Sequence, residues 1–508
     1  MMKEIHAISV VRWLNTRTFT ATVSESDRMS ERSNETVAEE RLLSFSLLNW
    51  VMVAMAGYAW FATVKVMTRT GASELVQNIA GIISLAILIA GVYFGRKIPA
   101  YRVPKLLTSR HSLVYALLVG VGLRLMWVLL FPTVPTSDGA FYLQLAAQVA
   151  RGEQMHIGAL YAYWPPGYPL FLSPFVAVLN TAVTVPLTQI LLFVVAAIGV
   201  YRLAALLLSA QAASYSVWLF ALWPSLISSC ATPEKEILVS ACLVWAVWLT
   251  LRGTRPLLLL AGLAYGAACL VQPSTQLLIP AVAVFLLVRQ RARAVPLIAL
   301  LVLGAAIVIA PWTARNYEVF NTFRFISTNG GDNLYRANNP LATGGFTLRG
   351  EVDTSAMPEL ERDSIAKALA VTWMREHPGD FLRLALHKQV LFMGDDAYGV
   401  FATFRSQGDA RNNVVYAIVK AISNGWWLCA WLIVAIRVVG GYRLGNAAVL
   451  VWAWLYLFGL HTVFEANGKY HAPVVWVLCI AVAALACASK RRVAAAVQRP
   501  AGLASEHA

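Results

Sequence analysis

Charge is what this chain has least of. Only 13% of its 508 residues are Asp, Glu, Lys or Arg, against roughly 25% in soluble domains. That deficit excludes a soluble globular enzyme, a disordered chain and a coiled coil. Cysteine is scarce too. The six thiols, Cys230, Cys242, Cys269, Cys429, Cys479 and Cys487, lie in or at the end of apolar runs, with no CxxC pair and no Cys/His cluster of zinc-like spacing. They read as small buried hydrophobes rather than a disulfide framework or a metal site. No internal repeat is visible. Residues 1–44 contain no short apolar core ending in a small-residue cleavage site, so no signal peptide is read there. The stretch is polar and mixed in charge, as expected of a partly disordered tail.

What the chain has is apolar sequence, 58% of it. Runs long enough for a bilayer, which takes about 20 helical residues, fall near 45–64, 78–95, 112–131, 186–207, 213–230, 236–251, 257–271, 275–288, 295–311, 415–436, 446–464 and 472–489. Helix is the state expected of them, because a backbone in lipid must satisfy its own hydrogen bonds. The links near 96–110, 202, 252–255, 289–293, 437–443 and 490–499 carry 17 Lys and Arg and no acid, and they fall on every second loop. The alternate loops sum to about −2, taken over the same residue types. This positive-inside pattern puts both termini in the cytoplasm. It also gives the net charge of +15 a topological meaning and a contact with anionic lipid, with no nucleic-acid partner. The apolar run 169–179 is too short to cross, and charge parity keeps it on the outer side.

The expected architecture is therefore an all-α polytopic membrane protein with about twelve crossings and two large extracytoplasmic loops. Its parts are a polar tail (1–44), two helices and a basic loop (45–111), a transmembrane core (112–311) with a first outer loop at 132–185, a second outer loop (312–411), closing helices (412–489) and a cytoplasmic tail (490–508). Helices are expected in the second outer loop over 363–376 and 380–393. The latter has a face of Phe381, Leu384, Ala385, Lys388 and Leu391 suited to lying along the membrane surface.

Candidate chemistry gathers at the outer ends. Asp138 opens a helix expected to stop near Gly152. It reads either as a helix cap or as a general base at the water–lipid border. Trp164-Pro165-Pro166-Gly167-Tyr168 is a rigid turn with aromatics at headgroup level. Arg315, followed by Asn316, reads as a snorkelling side chain or as a guanidinium fork for a lipid phosphate. The Asn329–Asn338 region is rich in Gly and Asn, as a plain loop or an anion nest would be. Glu234 and Glu236 on one outer link, and Glu465, Lys469, Tyr470 and His471 on another, are helix-end anchors or site residues. Arg124 and Lys420 are costly in hydrocarbon and expected to face protein or interface.

Taken in order along the chain, these pieces resemble the GT-C membrane glycosyltransferases, specifically the branch of the dolichyl-phosphate-mannose-protein mannosyltransferases and bacterial aminoarabinose transferases. The matching features are Asp138 with Tyr142, the Pro165-Pro166-Gly167-Tyr168 turn, Pro224 followed by Glu234 or Glu236, Gln272-Pro273, Pro311-Trp312 with Arg315-Asn316, Asn329-Gly330 with Asn338, His377-Pro378, and Lys469-Tyr470 with Pro473. The likeness runs over about 112–490. The chain departs from the pattern where relatives have Asp-Glu and it has Asp138-Gly139, and where the aminoarabinose transferases have Lys and it has Trp164. The resemblance implies transfer of a sugar from a polyprenyl-phosphate donor to an acceptor hydroxyl on a lipid, glycan or protein. It implies inversion, Asp138 as general base, and Arg315 and Lys469 on the donor phosphate. Tyr142, Trp164, Pro166, Tyr168, Glu234, Glu236, Asn316, Asn338, Tyr470 and His471 would line the substrate pocket. No cofactor is implied, and a divalent metal is not indicated. The other readings are a transporter or flippase of lipid-linked saccharides and an inactive relative that assembles with others. The expected location is a bacterial inner membrane with the site on the extracytoplasmic side.

Overall fold

Lipid leaves a backbone no partner but itself, and the fold follows that constraint. The structure is a computed structural model; it describes residues 31–68, 72–97, 104, 107, 111–347, 350–408 and 413–488. The parts of the two tails at 1–30 and 489–508 lie outside the described residues. The chain divides into two compact units, Met1–Leu47 and Leu48–Ala508, and every candidate residue lies in the second.

In chain order the helices are α1 (Glu31–Met67), α2 (Glu74–Gly95), α3 (Ser112–Leu130), α4 (Asp138–Ala150), α5 (Gly167–Val176), α6 (Thr181–Leu207), α7 (Ala210–Ala221), α8 (Pro224–Ser228), α9 (Glu236–Arg252) and α10 (Arg255–Val271). After them come α11 (Leu278–Gln290), α12 (Val295–Phe320), α13 (Gly330–Ala337), α14 (Glu359–Glu376), α15 (Pro378–Met393), α16 (Tyr398–Arg405), α17 (Val414–Val439), α18 (Val451–Leu460) and α19 (Val475–Cys487). No strand occurs among the described residues; a single bridge joins Ile157 and Leu160. Among the described residues, seven stretches are long and apolar enough to cross a membrane, so this is a multi-pass membrane protein. All six cysteines are free thiols.

The apolar runs appear as helices, with informative breaks. The run at 213–230 is split between α7 and α8, because Pro224 cannot continue the ladder and starts a new helix at its first position. The runs at 446–464 and 472–489 each open with a 3₁₀ segment, Gly445–Leu450 and Gly468–Val474. The short run after Gly167 is the ten-residue α5, well below a crossing length. Helix α1 starts at Glu31, inside the stretch read as a polar tail; its Glu, Arg and Ala are good helix formers.

Helix α15 forms as expected, and the face of Phe381, Leu384, Ala385, Lys388 and Leu391 is its buried or half-buried one. Ala385, Lys388 and Gln389 are buried, while Leu382 and Leu386 are exposed. Lys388 is drawn in because three acceptors wait for its ammonium: Asn338 Oδ1 at 2.7 Å, Val463 O at 2.9 Å and Thr462 O at 3.3 Å. Arg124, in the apolar α3, is partly satisfied, its Nη2 having no hydrogen-bond partner among the described residues. It donates to the carbonyls of Gly120 and Ala221, both at 3.0 Å, and lies 3.6 Å over the Phe193 ring. Lys420 pairs with Asp395 at 2.9 Å.

Helices α10 and α12 meet backbone to backbone. A Cβ on Gly262 would stand 2.1 Å from Leu301 O, and one on Gly304 would stand 2.2 Å from Leu259 O. Small residues at such a crossing let two membrane helices touch without side chains between them. Gly262→Val should therefore push α12 away from α10 and cost at least about 1–3 kcal/mol. The expected readout is a lowered thermal midpoint in detergent, seen by fluorescence-detected size exclusion. An unchanged midpoint would refute this contact.

Candidate functional site

Polar side chains brought to helix ends need either partners or water, and one cavity of about 590 Å³ collects many of them. Its wall includes Asp138 and Tyr142 from α4, Trp164 from the first outer loop, Glu234, Lys235 and Glu236 around the start of α9, and Glu465, Lys469 and Tyr470 before α19. The second outer loop adds Asn333, Arg336 and Arg362, and α16 adds Tyr398 and Arg405. A narrower pocket runs inward from it, lined by Glu234, Glu236, Tyr398 and Lys469 and reaching Arg124 and Asp396.

Asp138 is the first residue of α4. Ser137 before it has φ 54°, ψ −136°, a left-handed backbone that a non-glycine residue adopts at a cost. Ser137 makes no side-chain cap bond to the helix. Asp138 Oδ1 instead accepts the Trp164 indole N–H at 3.3 Å. Trp164 is held by ring contacts with Phe141 (4.7 Å) and Tyr163 (4.8 Å). Tyr142 meets Tyr168 edge to face at 5.3 Å. Burial, and then the Asp138 charge, push the Tyr142 phenol well up, so it faces the cavity as a neutral hydrogen-bonding group.

The opposite wall is built differently. Lys469 Nζ lies 5.0 Å from the Tyr398 ring and 5.5 Å from the Tyr470 ring, so aromatic faces hold it rather than a carboxylate. Tyr470 donates to Glu465 Oε1 at 2.6 Å. Burial raises Glu234 above the usual carboxylate range, and the neighbouring Glu236 adds to the shift. The Glu234 charge and then burial, opposed by Lys469, leave Tyr398 raised as well. At the outer end, Asp332 takes a short hydrogen bond from Tyr163, and one from Arg362 at 2.8 Å, with Arg336 at 3.7 Å. Glu359 receives the amide N–H groups of Tyr161 (2.6 Å) and Ala162 (2.8 Å). These contacts fasten the two outer loops to each other. Among the described residues no three His, Cys, Asp or Glu side chains gather as a metal site.

Of the candidates taken from sequence, Asp138, Tyr142, Trp164, Glu234, Glu236, Lys469 and Tyr470 meet in this cavity. The others stand behind its wall. Tyr168 is fully buried and accepts from Gln189 Nε2 at 2.8 Å. Pro166 caps α5. Asn316 ties down the carbonyls of Arg324 (3.2 Å) and Ile326 (3.1 Å). Asn338 bonds the carbonyls of Leu334 and Val463, both at 2.8 Å, and accepts from Lys388. His471 lies between Phe392 O (2.7 Å) and Asp396 Oδ1 (3.0 Å) and stacks on Trp427. Arg315 does not line the cavity. Its fork donates to Tyr161 O and Met155 O, both at 2.9 Å, and its guanidinium lies 4.6 Å over Trp312. Two free carbonyls in the first outer loop outcompete water for that cation. Sequence reasoning missed Tyr398, Arg336, Arg362 and Arg405. No spacing signals them, since only the folding back of the second outer loop and α16 brings them in.

With the geometry in place, comparison with known proteins adds a likeness. Residues 164–314 match the family model of the dolichyl-phosphate-mannose-protein mannosyltransferases. The resemblance to GT-C membrane glycosyltransferases is thus found across the middle of the chain. The stretch holds Trp164, Glu234 and Glu236, stops one residue short of Arg315, and leaves Asp138 and Lys469 outside. No curated protein sequence matches. Among solved structures, the oligosaccharyltransferase of Archaeoglobus fulgidus, tethered to an acceptor peptide, is 13% identical, with a TM-score of 0.38 over 74% of this chain and 49% of that one. The arabinosyltransferase EmbB from Mycobacterium smegmatis is 15% identical, with a TM-score of 0.33 over 75% of this chain and 46% of that one. The chain thus spans about half the length of these two proteins.

The Arg315 contacts yield a structural test. Arg315→Met leaves the carbonyls of Met155 and Tyr161 without their donor, at about 1–3 kcal/mol for buried acceptors. Hydrogen exchange across 152–163 should rise while that of α6 stays unchanged. Equal protection in both proteins would rule out the brace.

Proposed function

We propose that this chain is a membrane glycosyltransferase of GT-C type. It moves a sugar from a polyprenyl-phosphate donor to an acceptor hydroxyl, with inversion at the anomeric carbon. The observation that carries this reading is a single cavity that holds Asp138 on one wall and Lys469, between two tyrosines, on the other. The family match over 164–314 supports the class of reaction.

In this mechanism the donor phosphate sits against Lys469. The Nζ is a compact cation presented by the ring faces of Tyr398 and Tyr470. Charge that develops on the departing phosphate is stabilised there, in a site largely shielded from water. Asp138 takes the proton of the attacking hydroxyl. The Trp164 N–H leaves one carboxylate oxygen of Asp138 free for that task, and Tyr142 steers it from below. Arg315 takes a new part: it braces the first outer loop instead of binding phosphate. Arg336 and Arg362, on Asp332, form the cavity's outer rim and suit a polar acceptor.

The same reading places the reaction on the extracytoplasmic side. The cavity wall comes from 136–142, 160–165, 232–236, 329–346, 398–405 and 465–470. None of the basic links at 252–255, 289–293 or 437–443 contributes. Some twelve crossings in a bacterial inner membrane, with both termini cytoplasmic, fit this arrangement. The first two helices, α1 and α2, are an addition before the catalytic core.

Purified protein in lipid nanodiscs, given polyprenyl-phosphate mannose, glucose or arabinose with radiolabelled sugar, tests the reading. Asp138→Asn should cut transfer at least about 10²-fold with expression intact, and Lys469→Met about 10²–10³-fold. Near-normal transfer by Asp138→Asn rejects the base. A transporter or flippase would move labelled lipid across a vesicle without breaking its sugar–phosphate bond. An inactive relative would do neither.

A further inference from the structure

Glu236 opens α9 and is buried. Neither of its side-chain oxygens has a hydrogen-bond partner among the described residues, and Glu234, two residues before it, lines the same narrow pocket. A bare carboxylate is strongly disfavoured in such a place. Two carboxyl groups crowded into one narrow pocket do not both ionise, and a shared proton relieves the repulsion. Glu234 differs from its neighbour in being partly open to the cavity.

The loop carrying this pair is firmly seated. Gln189 Nε2 donates to the Glu234 carbonyl at 2.7 Å, and the Glu234 N–H donates to Thr232 O at 2.8 Å. Pro233 packs onto the first turn of α4, where a Cβ on Gly139 would stand 2.6 Å from its Cγ. Position 139 has no room for a side chain because this loop fills it, and the loop thereby sets two carboxyl groups beside Asp138. The charged groups facing the pair are Asp138, Lys235 and Lys469, with Arg124 and Asp396 farther along the same narrow pocket, and the phenols are Tyr142, Tyr168, Tyr398 and Tyr470. Lys469 lies over tyrosine rings and does not close an ion pair with either glutamate.

We propose that Glu234 and Glu236 store one proton, and that Glu234 delivers it to the phosphate oxygen leaving the sugar. This rests on the glycosyl-transfer reading above. The acceptor oxygen bonds to the anomeric carbon and its proton passes to Asp138. The bond from that carbon to the phosphate oxygen breaks, the oxygen keeps the electron pair, and the Glu234 proton neutralises it. Asp138 then releases a proton to water and the pair regains one. A phosphate monoester has a second pKa of about 6, so an acid held near neutrality is matched to it. Burial and the adjacent carboxylate hold the Glu234 proton on above the usual range, in keeping with this task. Glu236 is the positioning residue of the pair.

The test uses the full-length protein in nanodiscs. Infrared spectra at neutral pH should contain a protonated-carboxyl band that Glu234→Gln and Glu236→Gln each remove. Transfer from labelled polyprenyl-phosphate sugar should follow a bell in pH. Its alkaline limb is loss of the shared proton. Glu234→Gln should slow transfer about 10²-fold and abolish the alkaline limb. Glu236→Gln should move that limb to lower pH. Glu234→Asp, which keeps a carboxyl, should retain it. Absence of the band from the wild type overturns the proposal, whatever the transfer assay gives, and this reading needs no variant to fold. A band with an alkaline limb unchanged in Glu234→Gln overturns the acid role. Wild-type protein that carries the band but transfers nothing overturns the glycosyl-transfer reading and the acid role with it.

Discussion

A charge buried in this protein must find its partner inside the protein, and most of the polar architecture follows from that. Arg124 takes two carbonyls and a phenyl face within α3's neighbourhood. Lys388 takes three oxygens. Asp396 receives Trp223 at 2.7 Å, Ser225 at 2.9 Å and His471 at 3.0 Å, and His471 spends its other nitrogen on Phe392 O. Sets like these rigidify a helical body, because breaking one bond leaves a stranded buried charge. The cavity departs from the rule. Lys469 has ring faces where a carboxylate is expected, and Glu236 has only another acid. Unspent polar groups in an otherwise well-satisfied fold are where a ligand gains most by binding.

The same contrast explains how much was readable in the sequence. A membrane helix is a local object, so a run of about 20 apolar residues identifies it almost unaided. Where local rules compete, the reading slips. Pro224 splits one run, and two 3₁₀ segments shorten others, because backbone breaks at membrane depth are tolerated when they are buried in protein. Asp138, Trp164, Glu234 and Lys469 were legible as site candidates because each sits at a helix end in an outer loop. Arg315 has the same address, yet it serves the loop. Nothing local distinguishes a guanidinium aimed at a phosphate from one aimed at the carbonyls of Met155 and Tyr161. Tyr398 and Arg362 had no signal at all. They reach the cavity only because Asp332, Tyr163 and Glu359 fold the second outer loop onto the first.

The region matched by the family model then takes on a definite physical sense. Residues 164–314 contain α5 to α11 and most of α12, including the close α10–α12 crossing and the Gln189 bond that seats Glu234. Its packing is tight, since a single Cβ at Gly262 or Gly304 would collide with backbone. Asp138 and Lys469 come from outside it and are carried in by α4 and by the 3₁₀ turn before α19. On the proposed reading, the acid that assists departure belongs to the rigid core, while the base and the phosphate-binding cation are brought to it by flanking segments. Such a division fits the demands on each group. A shared proton needs a fixed, dry setting so that two carboxyls stay in contact. A base and a cation must instead meet substrates that arrive from water and from lipid, and both line the larger cavity.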